Sequence, residues 1–226
     1  MQLYLDRVAN DSSPDVRKAV LAQMAVNGST LPAIVERIRD KTPGVRRQAF
    51  KTLATKVDMK VLTIADRMML LKTGLEDRAP EVRQQCLNMV LGQWLTDASI
   101  PALLSHLDVE QDTRTCETIA AQLLKAGVST GSLSVHDFER LDCETALFWR
   151  VLYMHLQAAG DDERLEAIVP VVSKFADIVA QFFRVLVAPD ADVDLAAQAH
   201  FILSELLRLG ALLDYSDEVN FLIKNK

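Results

Sequence analysis

Apolar residues recur along this chain at helical spacing. Leu31, Ile34, Val35 and Ile38 fall at i, i+3, i+4 and i+7, and Ile64, Met68, Leu71 and Leu75 continue a stripe of the same kind. A second pattern alternates with these stripes. Counting from Pro14, Pro43 and Pro80, positions +2, +6 and +7 hold Val16, Val20 and Leu21, then Val45, Ala49 and Phe50, then Val82, Cys86 and Leu87. At roughly 100° per residue these positions share one broad face. The chain therefore reads as a series of amphipathic helices joined into hairpins.

Each helix of the second kind is announced by the same string, Asp-x-x-Pro-x-Val-Arg: Asp11/Pro14/Val16/Arg17, Asp40/Pro43/Val45/Arg46 and Asp77/Pro80/Val82/Arg83. Proline in the first turn loses no hydrogen bond, and an acid just ahead of it complements the positive helix end. A helix begun three times in one way is a repeat unit. The prolines stand 29 and then 37 residues apart, short of the roughly 40 to 47 residues of HEAT units but within reach of variable loops. A weaker fourth copy begins at Asp108 and keeps Arg114, with Gln111 for the proline and Thr113 for the valine. Asp190, Leu195 and Ala199 fit a fifth register loosely, with Ala196 where arginine should stand. The expected fold is all-α: a HEAT-repeat α-solenoid of stacked antiparallel helix pairs. It forms a single solenoid segment over residues 1–226, with clear repeats over 10–107 and degenerate ones over 108–226. The segment 127–134, with two glycines and four hydroxyl residues, reads as an inter-repeat loop.

Composition supports a packed helical core. Half of the 226 residues are hydrophobic, with only 8 Gly and 7 Pro, unlike a disordered chain. Cys86, Cys116 and Cys143 are too few and too scattered for a disulfide framework, and a reducing compartment is expected. Asp6 and Arg7 interrupt any apolar signal region at the amino terminus. The stretch 178–187, broken by Gln181 and Arg184, falls short of the roughly 20 residues of a membrane span. No membrane role is expected. The net charge of −6 conceals a division: residues 1–83 carry 15 Lys+Arg against 10 Asp+Glu, residues 84–226 carry 10 against 21. A polyanion partner suits the first part, solvation or a basic protein the second.

Catalytic signatures are absent. There is no phosphate-binding glycine loop, no G-x-S-x-G and no H-E-x-x-H. His106, His136, His155 and His200 are isolated in sequence. Cys86 sits at a core position and reads as a small buried hydrophobe. Asp161, Asp162 and Glu163 read as charge for the first turn of the helix that follows. No enzyme, cofactor or metal is implied.

The helical wheel sorts the basic residues. With the +2 position at zero, +3 falls at about 100°, on the flank where repeats meet, whereas +4 and +8 fall at about 200° and 240°, away from the core. Arg17, Arg46 and Arg83 occupy +3. They are expected to form a structural ladder with Asp11, Asp40 or Asp77 of a neighbouring unit, because the arginine fork can hold a carboxylate through two hydrogen bonds. Lys18 and Arg47 occupy +4 and Lys51 occupies +8, on the concave solvent face. Two readings of that face stand: a solvated charged surface, or a stripe of cations, unpaired by acids, that follows duplex phosphates without reading bases. Arg37, Arg39 and Lys41 would extend the stripe or complement the negative end of their own helix.

The ordered series of strings from Asn10 to Leu21, Thr30 to Val35 and Asp66 to Asp77, then Gln93 to Leu95, Leu107 to Glu110 and Glu144 to Trp149, resembles the HEAT-repeat G subunit of condensin, CAP-G. The resemblance runs from about residue 10 to about residue 175. It implies a non-enzymatic scaffold that binds a kleisin subunit of the CAP-H type and grips double-stranded DNA in a basic groove without sequence specificity. The SMC subunits, reached indirectly, would supply ATP hydrolysis. Lys18, Arg47 and Lys51 match basic positions of the family's second helices and are the expected DNA-binding residues. Arg46 matches as well, but its ladder role comes first. The implied setting is the nucleus and chromosomes in mitosis, with the cytoplasm open to the chain at other times. Family members are several times longer, so an internal piece of the solenoid or a truncated product is expected. The repeats alone also allow a HEAT adaptor of the transport-receptor or phosphatase-scaffold type, whose concave face binds protein.

Overall fold

The computed structural model describes residues 2–95, 99–130, 138, 140–188, 192–213 and 215. Among these, twelve α-helices and no strand occur. The helices are α1 (Gln2–Asn10), α2 (Pro14–Gln23), α3 (Leu31–Glu36), α4 (Pro43–Lys56), α5 (Ile64–Leu75), α6 (Pro80–Met89), α7 (Ile100–Leu104), α8 (Thr113–Lys125), α9 (Cys143–Ala159), α10 (Asp162–Ile168), α11 (Val172–Leu186) and α12 (Val193–Gly210). They divide into two compact units, Met1–Asp108 with Arg114–Leu123, and Val109–Thr113 with Leu124–Lys226.

In the first unit, Pro14, Pro43 and Pro80 each open a helix. The helix stripes alternate with these as the sequence requires, so α1/α2, α3/α4 and α5/α6 are antiparallel pairs. Within the stack, α4 packs on both α2 and α6, while α1, α3 and α5 back their partners. Two layers of helices result. Leu21, Ile34, Ile38, Val45, Ala49, Phe50, Leu70, Leu71, Val82 and Cys86 are fully buried between them. Gly74 lets α5 approach closely: a Cβ there would lie 2.5 Å from Cys86 Sγ and 2.7 Å from Phe50 Cζ.

Two apolar positions depart from the wheel. Val16 is 38% exposed, whereas its counterparts Val45 and Val82 are fully buried. Ile64 is 49% exposed, because it occupies the first turn of α5, just after the box that Thr63 and Asp66 form by exchanging hydrogen bonds. The degenerate fourth copy also differs. Without a proline to preset the backbone at Gln111, α8 starts at Thr113.

In the second unit α9 packs against α10 and α12, and α12 against α11. Asp142 and Thr145 cap α9 reciprocally, and Gly160 closes it in the left-handed conformation at φ 67°. Arg150 on α9 and Glu205 on α12 form a buried ion pair at 2.6 Å, to which Arg208 adds a second contact on Glu205 at 2.8 Å. Phe138 and Trp149 meet edge-to-face with centroids 5.3 Å apart. Asp161 caps α10, and Asp162 and Glu163 lie in its first turn, as the sequence suggested. Residues 126–127 form a turn after α8 and residues 128–130 carry no regular secondary structure; the rest of the loop expected at 127–134, His136 and the start of the fifth register at Asp190 lie outside the described residues. No described helix is long and apolar enough to cross a membrane.

Candidate nucleic-acid interface

The three helix starts share one hydrogen-bond pattern. Asp11, Asp40 and Asp77 each accept the backbone N–H two residues on, at Ser13, Thr42 and Ala79, at 2.8 to 2.9 Å. That turn delivers the chain to the proline and does the capping that Ser13, Thr42 and Ala79 do not perform with their own side chains. From the first helical turn the +3 arginine reaches back. Arg17, Arg46 and Arg83 each donate Nη1 to the carbonyl of their own repeat's aspartate, at 2.7, 2.9 and 2.6 Å.

Two of these arginines also bridge repeats. Arg17 donates Nε and Nη2 to the two oxygens of Asp40, both at 2.8 Å, and Arg46 does the same to Asp77 at 2.6 and 2.8 Å. These pairs are almost wholly buried, with side-chain exposures of 3% for both partners of the first and 6% for both of the second. Burial alone pushes both carboxyls up. Hydrogen bonds from Arg17 and the Thr42 N–H, with the charges of Arg17 and Arg37, overcome it and hold Asp40 below the ordinary 3.8. Arg46, the Ala79 N–H and the charge of Arg78 do the same for Asp77. The Asp40 hydrogen bond in turn raises Arg17 against the pull of burial. At the two ends the pattern changes: Asp11 pairs with Arg7 at 2.9 Å, and Arg83 is exposed.

With Arg17 and Arg46 committed to the neighbouring aspartates, the cations that stand at the +4 and +8 positions on the outer face are the ones left for a polyanion. Arg47 and Lys51 lie one turn apart on α4, both exposed, about 6 Å apart along the helix axis. No side-chain partner holds either of them among the described residues. Lys18 sits on α2 beside the start of α4, its Cδ 3.6 Å from where a side chain at Gly44 would begin. It is not an unpaired cation: Lys18 Nζ meets Asp15 Oδ1 at 2.7 Å, with the lysine side chain 40% exposed. The wheel placed Lys18 correctly away from the core but overlooked an acid one turn earlier, at i−3. In the third repeat the equivalent +4 residue is Gln84, which donates to Asn88 at 3.0 Å. The cationic stripe thus covers α2 and α4 and ends before α6.

Among the flanking residues, Arg37 is consumed internally. It donates to Ala9 O at 3.1 Å and meets Glu36 at 3.1 Å. Arg39 and Lys41 remain exposed. Sequence reasoning missed Thr52 and Lys56, which close the C-terminal end of α2 from α4. Thr52 Oγ1 donates to Leu21 O at 3.1 Å, and Lys56 Nζ to Ala22 O and Met24 O at 2.8 and 3.0 Å. Their i, i+4 spacing on α4 is the only local signal. Burial pushes the Cys86 thiol up to about 12, which suits packing rather than nucleophilic chemistry. Among the described residues no three His, Cys, Asp or Glu side chains group to hold a metal.

Paired helices stacked in two layers, begun by a repeated Asp-x-x-Pro turn and tied by arginine–aspartate pairs, define a HEAT-repeat α-solenoid. No protein-family model matches the chain. It is similar to human condensin complex subunit 3, 36% identical over 198 residues that cover 80% of this chain and 19% of that protein. It is similar also to the Xenopus laevis subunit, 30% identical over 235 residues, covering 95% and 23%. The crystal structure of the S. pombe condensin Cnd3-Cnd2 subcomplex matches it with a TM-score of 0.86 and 26% identity, covering 96% of this chain and 29% of that one. These homologues and this structural neighbour support the condensin subunit 3 family for this chain, which spans about a quarter or less of the curated relatives' length.

Proposed function

We propose that the chain is a non-enzymatic scaffold in a condensin-type complex, holding a kleisin partner and contacting double-stranded DNA on chromosomes during mitotic condensation. The match of nearly the whole chain, in sequence and in fold, to condensin subunit 3 carries this reading. Arg47 and Lys51 supply the main phosphate contacts, with Lys18 joining when its pair with Asp15 opens. All three are long cations on the outer face of neighbouring helices, in the part of the chain where basic residues outnumber acidic ones. Contacts of this kind position a protein on the duplex and read no bases. The SMC subunits would be reached through the kleisin.

The test is affinity capture with the tagged chain from mitotic nuclear extract, with the co-purifying proteins identified by mass spectrometry. Recovery of kleisin and SMC proteins is expected. Recovery of transport receptors or phosphatase subunits in their place refutes the reading and favours a protein-binding adaptor.

A further inference from the structure

The two filled rungs of the ladder define what the arginine fork in this repeat holds. In both, Nη1 is anchored on the carbonyl of the repeat's own aspartate while Nε and Nη2 face the carboxylate of the next Asp-x-x-Pro turn. Arg83 keeps the anchor, Nη1 donating to Asp77 O at 2.6 Å. Among the described residues, however, no carboxylate meets its Nε or Nη2. The fourth copy of the motif has Gln111 in place of proline, and Asp108 does not occupy the fork. Arg83 instead lines an open groove of about 220 Å³ between α6 and α8, within the first unit. Leu75, Pro80 and Leu87 give the groove apolar surface, and Gln84, Thr118 and Gln122 give it hydrogen-bonding groups.

We propose that Arg83 and this groove receive an aspartate presented by a partner protein in an Asp-x-x-Pro turn, so that the partner supplies the rung that the chain's own next repeat does not. The anchor on Asp77 O fixes the guanidinium plane in the orientation that grips a carboxylate in the two preceding repeats. The fork therefore needs little reorganisation to bind. An Asp-x-x-Pro turn suits the site because its aspartate is already held by the N–H two residues on, as Asp40 and Asp77 are. The proline and the apolar residue that follow it would cover Leu75 and Leu87. A phosphate would also satisfy the charge, but both filled forks hold carboxylates and the groove offers apolar surface that a duplex backbone does not use. The site follows from the repeat geometry of the first unit alone, whatever assembly the chain joins.

The test is fluorescence polarisation with a fluorescein-labelled peptide, Leu-Glu-Asp-Arg-Ala-Pro-Glu-Val, which copies residues 75–82. Saturable binding with Kd below about 1 mM is expected. Replacing the peptide's aspartate by asparagine should weaken it about tenfold or more, a comparison made on the unaltered protein. Arg83→Ala should have the same effect with unchanged circular dichroism, and Arg83→Lys should not restore binding, because an ammonium lacks the fork. Failure to saturate by about 1 mM, or equal binding of the asparagine peptide, overturns the proposal. Displacement of the peptide by an unlabelled duplex of about 20 base pairs, with Arg83→Ala weakening that duplex, assigns Arg83 to phosphate and overturns it too.

Discussion

Arg46 and Arg47 are adjacent in the chain and opposite in role, so truncating each in turn tests the division of labour in the repeats. Arg46→Ala removes two hydrogen bonds to Asp77, at 2.6 and 2.8 Å, and one to Asp40 O at 2.9 Å. The Asp77 carboxylate, 6% exposed, is left with the Ala79 N–H. Removing one partner of a buried ion pair costs about 3 to 5 kcal/mol, chiefly because the other charge is stranded. Arg47 is exposed, and its truncation should cost under about 0.5 kcal/mol. Urea unfolding followed by far-UV circular dichroism reads the difference, with the slope m compared between variants, since an unchanged slope lets the midpoint shift be read as stability. Arg46→Met with Asp77→Leu should be milder than Arg46→Ala, because no charge is then stranded. Equal midpoint shifts for Arg46→Ala and Arg47→Ala would refute the reasoning.

The same pair carries a pH signature, and three further substitutions probe the packing. Asp77 titrates below its ordinary 3.8 in the folded protein, so its pair with Arg46 contributes fully above that value and is lost as pH falls through the lowered one. In Arg46→Ala burial acts with much less opposition and Asp77 rises. The variant's deficit against wild type should therefore narrow between about pH 7 and about pH 4, and a constant deficit would contradict this. Gly74→Ala places a Cβ 2.5 Å from Cys86 Sγ and should cost about 1 to 3 kcal/mol by overpacking, with Cys86→Ala in the same chain restoring part of it in urea melts. Glu205 is 1% exposed and holds Arg150 at 2.6 Å. Arg150→Ala leaves Glu205 with Arg208 at 2.8 Å and should cost about 1.5 to 3 kcal/mol in the second unit, and a loss under about 1 kcal/mol would show that the pair is open in solution. The Cys86 thiol, pushed up to about 12, should resist aromatic disulfide reagents until unfolding; reaction in the native protein at neutral pH would mean that α5 and α6 part locally.

The fold was legible because its signals are local. Proline at the first helical position and an aspartate three residues earlier fix each helix start, and the +2 and +6 positions of the second and third copies are buried, as is Phe50 at +7 of the second, while Leu87 at +7 of the third is half-buried. What a single helix could not reveal was its neighbour. Val16 has the residue type and register of Val45 yet is 38% exposed where Val45 is fully buried, a difference that the pattern within one helix does not carry. The wheel placed Arg17 and Arg46 on the flank, but that each grips the carboxylate of the following repeat's aspartate, and not that of a preceding one, emerges only from the stacking. Lys18 shows the opposite lapse: its partner Asp15 is three residues away, within reach of sequence reasoning that looked only at the direction of the side chain. Arg150 and Glu205, 55 residues apart, left no trace in the sequence, since each alone reads as an ordinary polar position in an apolar helix.

The most direct test of the DNA-scaffold reading is a salt titration of duplex binding. Wild type, Arg47→Glu/Lys51→Glu and the triple variant with Lys18→Glu are titrated with labelled duplexes of unrelated sequence over a range of salt concentrations. Both variants should bind more weakly on every sequence while keeping wild-type circular dichroism. The slope of log K against log salt should become shallower by at most roughly 0.9 for each phosphate that the variant no longer neutralises. The double variant should account for most of the change, because Lys18 is already paired with Asp15. Wild-type and triple-variant curves that superimpose would contradict the account and leave Lys18, Arg47 and Lys51 as a solvated face.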